Sequence, residues 1–151
     1  MVCMGNICRS PMAEGIMKQK LVDFGLDAYV DSAGTLSYHA GENPDLRAQY
    51  TMRKNELDIT NIISRPFQQS DFEEFDKLFV MDHLNYNELI SRSSHPEHRK
   101  KVTLIMNMIE GKKNQEVPDP YYGGKDGFDK VYKMLDNACT EIAKAIRNNT
   151  L

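Results

Sequence analysis

A thiol and a guanidinium stand near the front of this chain in the run Cys3-Met4-Gly5-Asn6-Ile7-Cys8-Arg9-Ser10, with five residues between Cys3 and Arg9. Gly5 and Asn6 between them are residue types that tolerate positive φ, as a tight loop requires. Ser10-Pro11, followed by Met12, Ala13, Glu14 and Ile16, reads as the opening of a helix with proline in its first turn. A loop whose N–H groups curl inward, capped by a helix N-terminus, suits a doubly charged anion. Arg9 adds a fork that matches two phosphate oxygens. The same positive field favours Cys3 as the thiolate, the nucleophilic form of sulfur. A nucleophile on the floor of an anion cradle points to attack on phosphorus. On spacing alone, Cys3 and Cys8 read equally well as small buried residues beside a turn.

A second group of residues supplies what such a reaction lacks. Cleaving a phosphate ester to an alcohol or phenol needs a proton for the departing oxygen, and Asp119, in Asp119-Pro120-Tyr121-Tyr122, is a carboxyl group placed to give it. By itself Asp-Pro is as often a turn. Tyr121, Tyr122 and Tyr38 are candidates for aromatic walls, which make a deep slot that admits an aryl phosphate and disfavours short serine esters.

The run from Cys3 to Pro11 resembles the signature loop of the low-molecular-weight protein tyrosine phosphatases, C-[LM]-G-N-I-C-R-S-P. Asp31-Ser32-Ala33-Gly34-Thr35, Asn43-Pro44-Asp45-Leu46-Arg47-Ala48, Ser64-Arg65, Phe75-Asp76, Met81-Asp82 and Asp119-Pro120-Tyr121-Tyr122 follow in that family's order, so the resemblance covers nearly the whole chain. It implies hydrolysis of phosphotyrosine and other aryl phosphates through a phosphocysteine on Cys3, releasing inorganic phosphate. Arg9 and the backbone of Met4, Gly5, Asn6, Ile7, Cys8 and Ser10 would hold the phosphoryl oxygens, and Asp119 would act as the acid. It further implies that Ser10 donates to the thiolate, that Asn6 pins the loop with help from Ser32, and that Tyr38 varies with substrate preference. Cys8 would trap an oxidised Cys3 as a disulfide, although it reads equally as filler. Many members carry His where this chain has Ile62, so one partner of the loop network is absent or replaced. The resemblance implies no cofactor and no metal.

Rival readings share the loop. An arsenate reductase of the same architecture needs two further relay cysteines, and only Cys139 lies beyond Cys8. Arginine-specific phosphatases that the chain resembles carry Thr at the position of Ile7. A catalytically impaired phosphotyrosine-binding protein would have no need of Asp119 beside Cys3 and Arg9.

The elements that must position these groups alternate. Helices are expected over 11–24, with Gly25 as the stop, over 44–55, over 84–90, and along the stripe Phe128, Val131, Tyr132, Leu135, Cys139, Ile142, Ile146. Strands are expected at 28–32, 77–81 and 101–104, with an extended segment at 59–64, a helical turn at 70–75 and loops at 33–43, 91–98 and 111–124. Asp45 and Arg47 read as a structural ion pair near a helix start. Alternation implies a doubly wound, Rossmann-like, four-stranded parallel sheet with helices on both faces. Only Met1 and Val2 precede Cys3, where the resembled family has a hydrophobic strand. The first strand is therefore expected as a truncated stub with reduced stability, or the natural start lies upstream.

At 151 residues the chain fits one phosphatase domain, 1–151. A net charge of −3 with scattered basic residues gives no reason to expect nucleic acid. No apolar run reaches membrane-spanning length. Three cysteines without a secretory signal argue for a reducing, cytoplasmic setting. His39, His83, His95 and His98 show no metal-ligand spacing beyond His95-x-x-His98 and are expected on the solvated surface.

Overall fold

Four short strands, all parallel, form one sheet in the order β2-β1-β3-β4, where β1 is Val2–Cys3, β2 Ala33–Gly34, β3 Leu78–Val80 and β4 Val102–Leu104. The computed structural model describes residues 1–124 and 126–151. Val2 pairs with Ala33 on one side and Val80 on the other, and Cys3 pairs with Gly34. β1 spans two residues and lies at the centre of the sheet.

The period-two alternation of strands assigns side chains to two faces. Val2, Ala33, Leu78, Val80, Val102 and Leu104 face one core with Phe67, Phe72 and Leu89. That core is closed by α3 (Asp71–Glu74), α4 (His83–Arg92) and α5 (Pro96–Lys101). Cys3, Phe79 and Met81 belong to the other core, with α1 (Arg9–Phe24), α2 (Leu46–Lys54) and α6 (Gly127–Arg147). Met12, Ile16 and Met17 of α1 meet Val131, Leu135, Cys139 and Ile142 of α6, all buried. Truncating Leu135 to Ala there would cost about 2–5 kcal/mol. Helices cover both faces, as the alternation implied. Among the described residues no helix is long and apolar enough to cross a membrane.

Boundaries moved where pairing or capping overrode pattern. α1 begins at Arg9 rather than Pro11, so the guanidinium sits at the helix start; it ends at Gly25, whose φ of 63° lets its N–H reach back to Leu21 and Val22 carbonyls. β2 lies at Ala33–Gly34, not 28–32, because the strand it pairs with in parallel register, β1, is two residues long. Residues 59–64 form no strand: Ile62 N–H turns back to the Ile59 carbonyl, and pairing is left to an isolated bridge between Gly34 and Pro66. The expected loop 91–98 is largely helical, since α4 runs to Arg92 and Pro96 opens α5 at a position where its missing N–H costs nothing. His98 is accordingly not solvated: it is 5% exposed, stacked on Phe72 at 4.7 Å between ring centroids.

Candidate active site

Cys3 ends the central strand, and the chain leaves the sheet there through the loop 4–8 into α1. This is the carboxyl end of a parallel sheet, between strands whose connections depart in opposite directions, where open α/β sheets bind ligands. Asn6 alone in the loop takes a positive φ, 54°. Gly5 does not, contrary to expectation; its role is clearance, since a Cβ there would stand 3.0 Å from Cδ2 of His39.

The loop's carbonyls are turned outward by partners. Those of Cys3, Met4, Ile7 and Cys8 accept from the N–H groups of Thr35, Leu36, Asp45 and Met12, and that of Gly5 accepts from Ser64 Oγ. Among the described residues, no protein acceptor takes the N–H groups of Met4, Gly5, Asn6, Ile7 or Cys8. With the carbonyls committed outside, the amides and the N-terminus of α1 are the polar groups left for the inside of the curl.

Asn6 itself is fully buried and faces away from the cavity. Its Nδ2 donates to Ser10 Oγ and to Ser32 Oγ, each at 2.8 Å, while its Oδ1 accepts from the Arg65 N–H at 3.0 Å. Ser32 Oγ donates in turn to Glu14 Oε2 at 2.5 Å, and Lys18 balances that buried carboxylate from the next turn of α1. Because Ser10 Oγ accepts from Asn6, its own proton is free for Cys3 Sγ, 3.0 Å away, in preference to the Ala33 carbonyl at 3.4 Å. Ile62 lies in the apolar core and takes no part, so Ser10, Ser32, Glu14 and the Arg65 backbone complete the network without it.

Arg9 is 1% exposed and anchored on two sides. Nη1 donates to Asp82 Oδ2 at 2.5 Å and to the Val117 carbonyl at 3.1 Å; Nη2 reaches Asp119 Oδ2 at 3.1 Å. Burial works against its charge, but Cys3, Asp82 and Asp119 outweigh that and hold it above its ordinary value. Asp82 is positioned by standing two residues past the end of β3 and by being the N-cap of α4, where its Oδ1 accepts from Asn85 N–H. Asp119 Oδ1 accepts from the Tyr121 N–H. Burial pushes the Cys8 thiol up, with Asp45 and Cys3 adding to it, so Cys8 is a neutral thiol at neutral pH. Cys139 is fully buried on α6 and pushed up to about 12, mainly by burial.

Cys3, Met4, Gly5, Ile7, Cys8, Arg9, Tyr38, Asp119, Tyr121 and Tyr122 all border one cavity of about 370 Å³. Ser10 and Asn6 act on it from behind rather than lining it. Three residues at the site went unassigned in the sequence. Leu36 and His39 add to the rim, His39 held by Glu42 at 2.7 Å and edge-on to Tyr38, and Asp82 braces Arg9. The position of Asp82 at a strand's carboxyl end was the available signal.

A parallel α/β sheet that presents a thiol, a buried guanidinium and a helix N-terminus at the end of its central strand defines an oxyanion-binding class. The low molecular weight phosphotyrosine protein phosphatase model matches residues 1–151, and the chain belongs to that hydrolase family. It is 38% identical over 148 residues to the low molecular weight phosphotyrosine protein phosphatase of Schizosaccharomyces pombe, covering 96% of this chain and 94% of that one. The crystal structure of a protein tyrosine phosphatase from Entamoeba histolytica, with Hepes in its active site, matches with a TM-score of 0.92 and 40% identity, over 99% of this chain and 96% of that one. A Drosophila arginine phosphatase matches with a TM-score of 0.86 and 37% identity, over 95% and 93%.

Proposed function

We propose that residues 1–151 form one phosphatase domain that hydrolyses phosphotyrosine and related aryl phosphates by way of a phosphocysteine. The observation that carries the reading is the convergence of Cys3, Arg9 and Asp119 on one cavity, with Ser10 Oγ 3.0 Å from Cys3 Sγ. Cys3 sulfur attacks phosphorus, forming the S–P bond as the ester P–O bond breaks. Asp119 gives its proton to the departing phenol oxygen. The loop amides and Arg9 hold the three equatorial oxygens. Water, activated by the Asp119 carboxylate, then takes the phosphoryl group, and inorganic phosphate leaves with the thiolate restored. Ser10 stabilises sulfur as the leaving group in this second step. Arg9 exchanges Asp119 for phosphoryl oxygens when substrate enters, while Asp82 keeps its hold.

Tyr38, Tyr121, Tyr122, Leu36 and His39 would grip the ring of an aryl ester. The likeness to an arginine phosphatase raises phosphoarginine as a second substrate class. Ile7 on the cavity wall and the aromatic rim favour the aryl ester. Cys8 would close a disulfide on peroxide-oxidised Cys3, the sulfenic oxygen leaving as water. Oxidation to a neutral sulfenic acid removes the Cys3 charge that helps hold Cys8 protonated. The setting we propose is the cytoplasm.

The test is a leaving-group series with native and Asp119→Asn proteins. The variant should lose about 10²–10⁴-fold on phosphotyrosine-like esters and far less on phenols that leave readily as anions. Vanadate affinity should be retained. An equal fractional loss across the series would leave Asp119 as a loop-shaping residue only.

A further inference from the structure

Arg47 occupies a junction that an ion pair alone does not explain. Its guanidinium takes Asp45 side-on, Nε to Oδ1 at 2.9 Å and Nη2 to Oδ2 at 2.7 Å. Nη1 then donates to the Tyr121 carbonyl at 3.1 Å, across 74 residues of sequence. The guanidinium plane also lies against two rings, 5.2 Å from the Tyr121 centroid and 4.9 Å from that of Phe128. Asp45 is itself fixed to the nucleophile loop, because its N–H donates to the Ile7 carbonyl at 2.8 Å. A continuous path therefore runs from Ile7 through Asp45 and Arg47 to Tyr121, whose N–H holds Asp119 Oδ1. It starts on the loop bearing Cys3 and ends on the carboxyl group facing it.

We infer that Arg47 is a positioning residue for the general acid, setting the distance between the Asp119 loop and the nucleophile loop. The inference rests on the reading of Asp119 as the acid. The segment around Asp119 has few other ties. Upstream, Glu116 Oε1 accepts from the His83 N–H, and Val117 is held through its N–H on the Met81 carbonyl and through its own carbonyl on Arg9 Nη1; downstream, Gly123 N–H turns back on Pro120; the Arg9 contact of Asp119 itself is one that substrate displaces. Once phosphoryl oxygens take Arg9 Nη2, the Arg47 clamp on the Tyr121 carbonyl is, among the described residues, the side-chain tie beyond Val117 that holds the acid's turn to the nucleophile loop. Lysine cannot substitute, since an ammonium cannot grip both Asp45 oxygens, reach the carbonyl and present a flat face to two rings at once. Arg47 touches none of the reacting atoms and acts through Asp119 alone.

The test is a cycle of Arg47→Ala, Arg47→Lys and Asp119→Asn, with the Arg47→Ala/Asp119→Asn double variant, each assayed on the leaving-group series and for vanadate affinity. Thermal melting establishes that each protein is folded. A shift of the acid by about an ångström costs on the order of 10²-fold. Arg47→Ala should therefore lower kcat about 10–10²-fold on poor leaving groups and much less on good ones. Vanadate affinity should be unchanged, and Arg47→Lys should recover little. In the Asp119→Asn background, Arg47→Ala should cost nothing further. A loss that is equal across leaving groups, or that adds fully to Asp119→Asn, would overturn the inference and leave the acid assignment standing. Absence of any leaving-group dependence in Asp119→Asn itself would overturn both.

Discussion

Gly34→Ala places one methyl group where β2 and the anion loop leave no room for it. An ideal Cβ at this position stands 2.8 Å from the Met4 carbonyl oxygen, 3.0 Å from that of Leu36 and 3.1 Å from the Gly5 carbonyl carbon. All three are backbone atoms, two of them in the loop that starts at Cys3, so none can swing aside as a side chain would. Optimal non-bonded contacts lie near ~3.5–4.0 Å, so the loop must retreat by roughly half an ångström or more. Overpacking of this kind costs about 1–3 kcal/mol. Alanine recovers ~0.4–1 kcal/mol of that by restricting the unfolded chain, which leaves a net loss of up to about 2.6 kcal/mol, centred near ~1.3 kcal/mol. At ~2–4 °C per kcal/mol, the central value lowers the melting temperature by about 3–5 °C. The loop bears the nucleophile, and misplacement by an ångström can cost about 10²-fold, so turnover of an aryl phosphate should fall at least about tenfold. Thermal melts and steady-state kinetics read both effects. Gly124→Ala, with open space around its Cβ position, is the matched control. Native melting and native turnover in Gly34→Ala would refute the claim that this contact sets the loop.

Asp45 makes an acid-stability prediction. The hydrogen bond from Arg47 holds its carboxyl below the ordinary value. Stability from a depressed carboxyl is present above its unfolded pKa of about 3.9 and is lost as pH falls through the folded value. Asparagine keeps the cap to the Arg47 N–H but not the charge, so Asp45→Asn should melt about 2–4 °C lower than native at pH 7, for an exposed pair worth at most about 1 kcal/mol. That gap should close below about pH 3; a gap independent of pH would assign the loss to something other than the ion pair. Mild peroxide should inactivate the native protein reversibly, and Cys8→Ser irreversibly as Cys3 climbs the oxidation ladder. Equal recovery by a thiol reductant in both would leave Cys8 as a packing residue.

Chemistry contiguous in sequence was legible from residue types, and Asp119 from its own short motif; partners joined to the site by topology alone, without a motif, were not. Cys3, Arg9 and Ser10 lie within one turn of chain, so their residue types announce an anion loop before any fold is known. The stripe from Phe128 to Ile146 likewise gave α6 its buried face. By contrast, Asp82 meets Arg9 only because β3 lies beside β1, a neighbour relation that no local pattern encodes. Arg47 reaches Tyr121 for the same kind of reason. β2 was misplaced because strand assignment followed residues 28–32, whereas the register is dictated by what β1 can pair. His98 carries the polarity of a surface residue, yet Phe72 stacks against it and Glu73 takes its Nε2 at 2.7 Å. His39 was passed over because a lone histidine in a loop has no pattern; its place at the cavity follows from the close approach of Gly5.

The central claim is a covalent bond between Cys3 sulfur and phosphorus. The native protein should be mixed with an aryl phosphate whose phenol leaves readily, quenched in acid during steady turnover, and its mass measured intact and after digestion. The account predicts a fraction of chains carrying one phosphoryl group, mapped to Cys3 and absent from Cys3→Ser, which should still bind vanadate while turning over nothing. A phosphoryl group found on any other residue, or sustained turnover by Cys3→Ser, would contradict it.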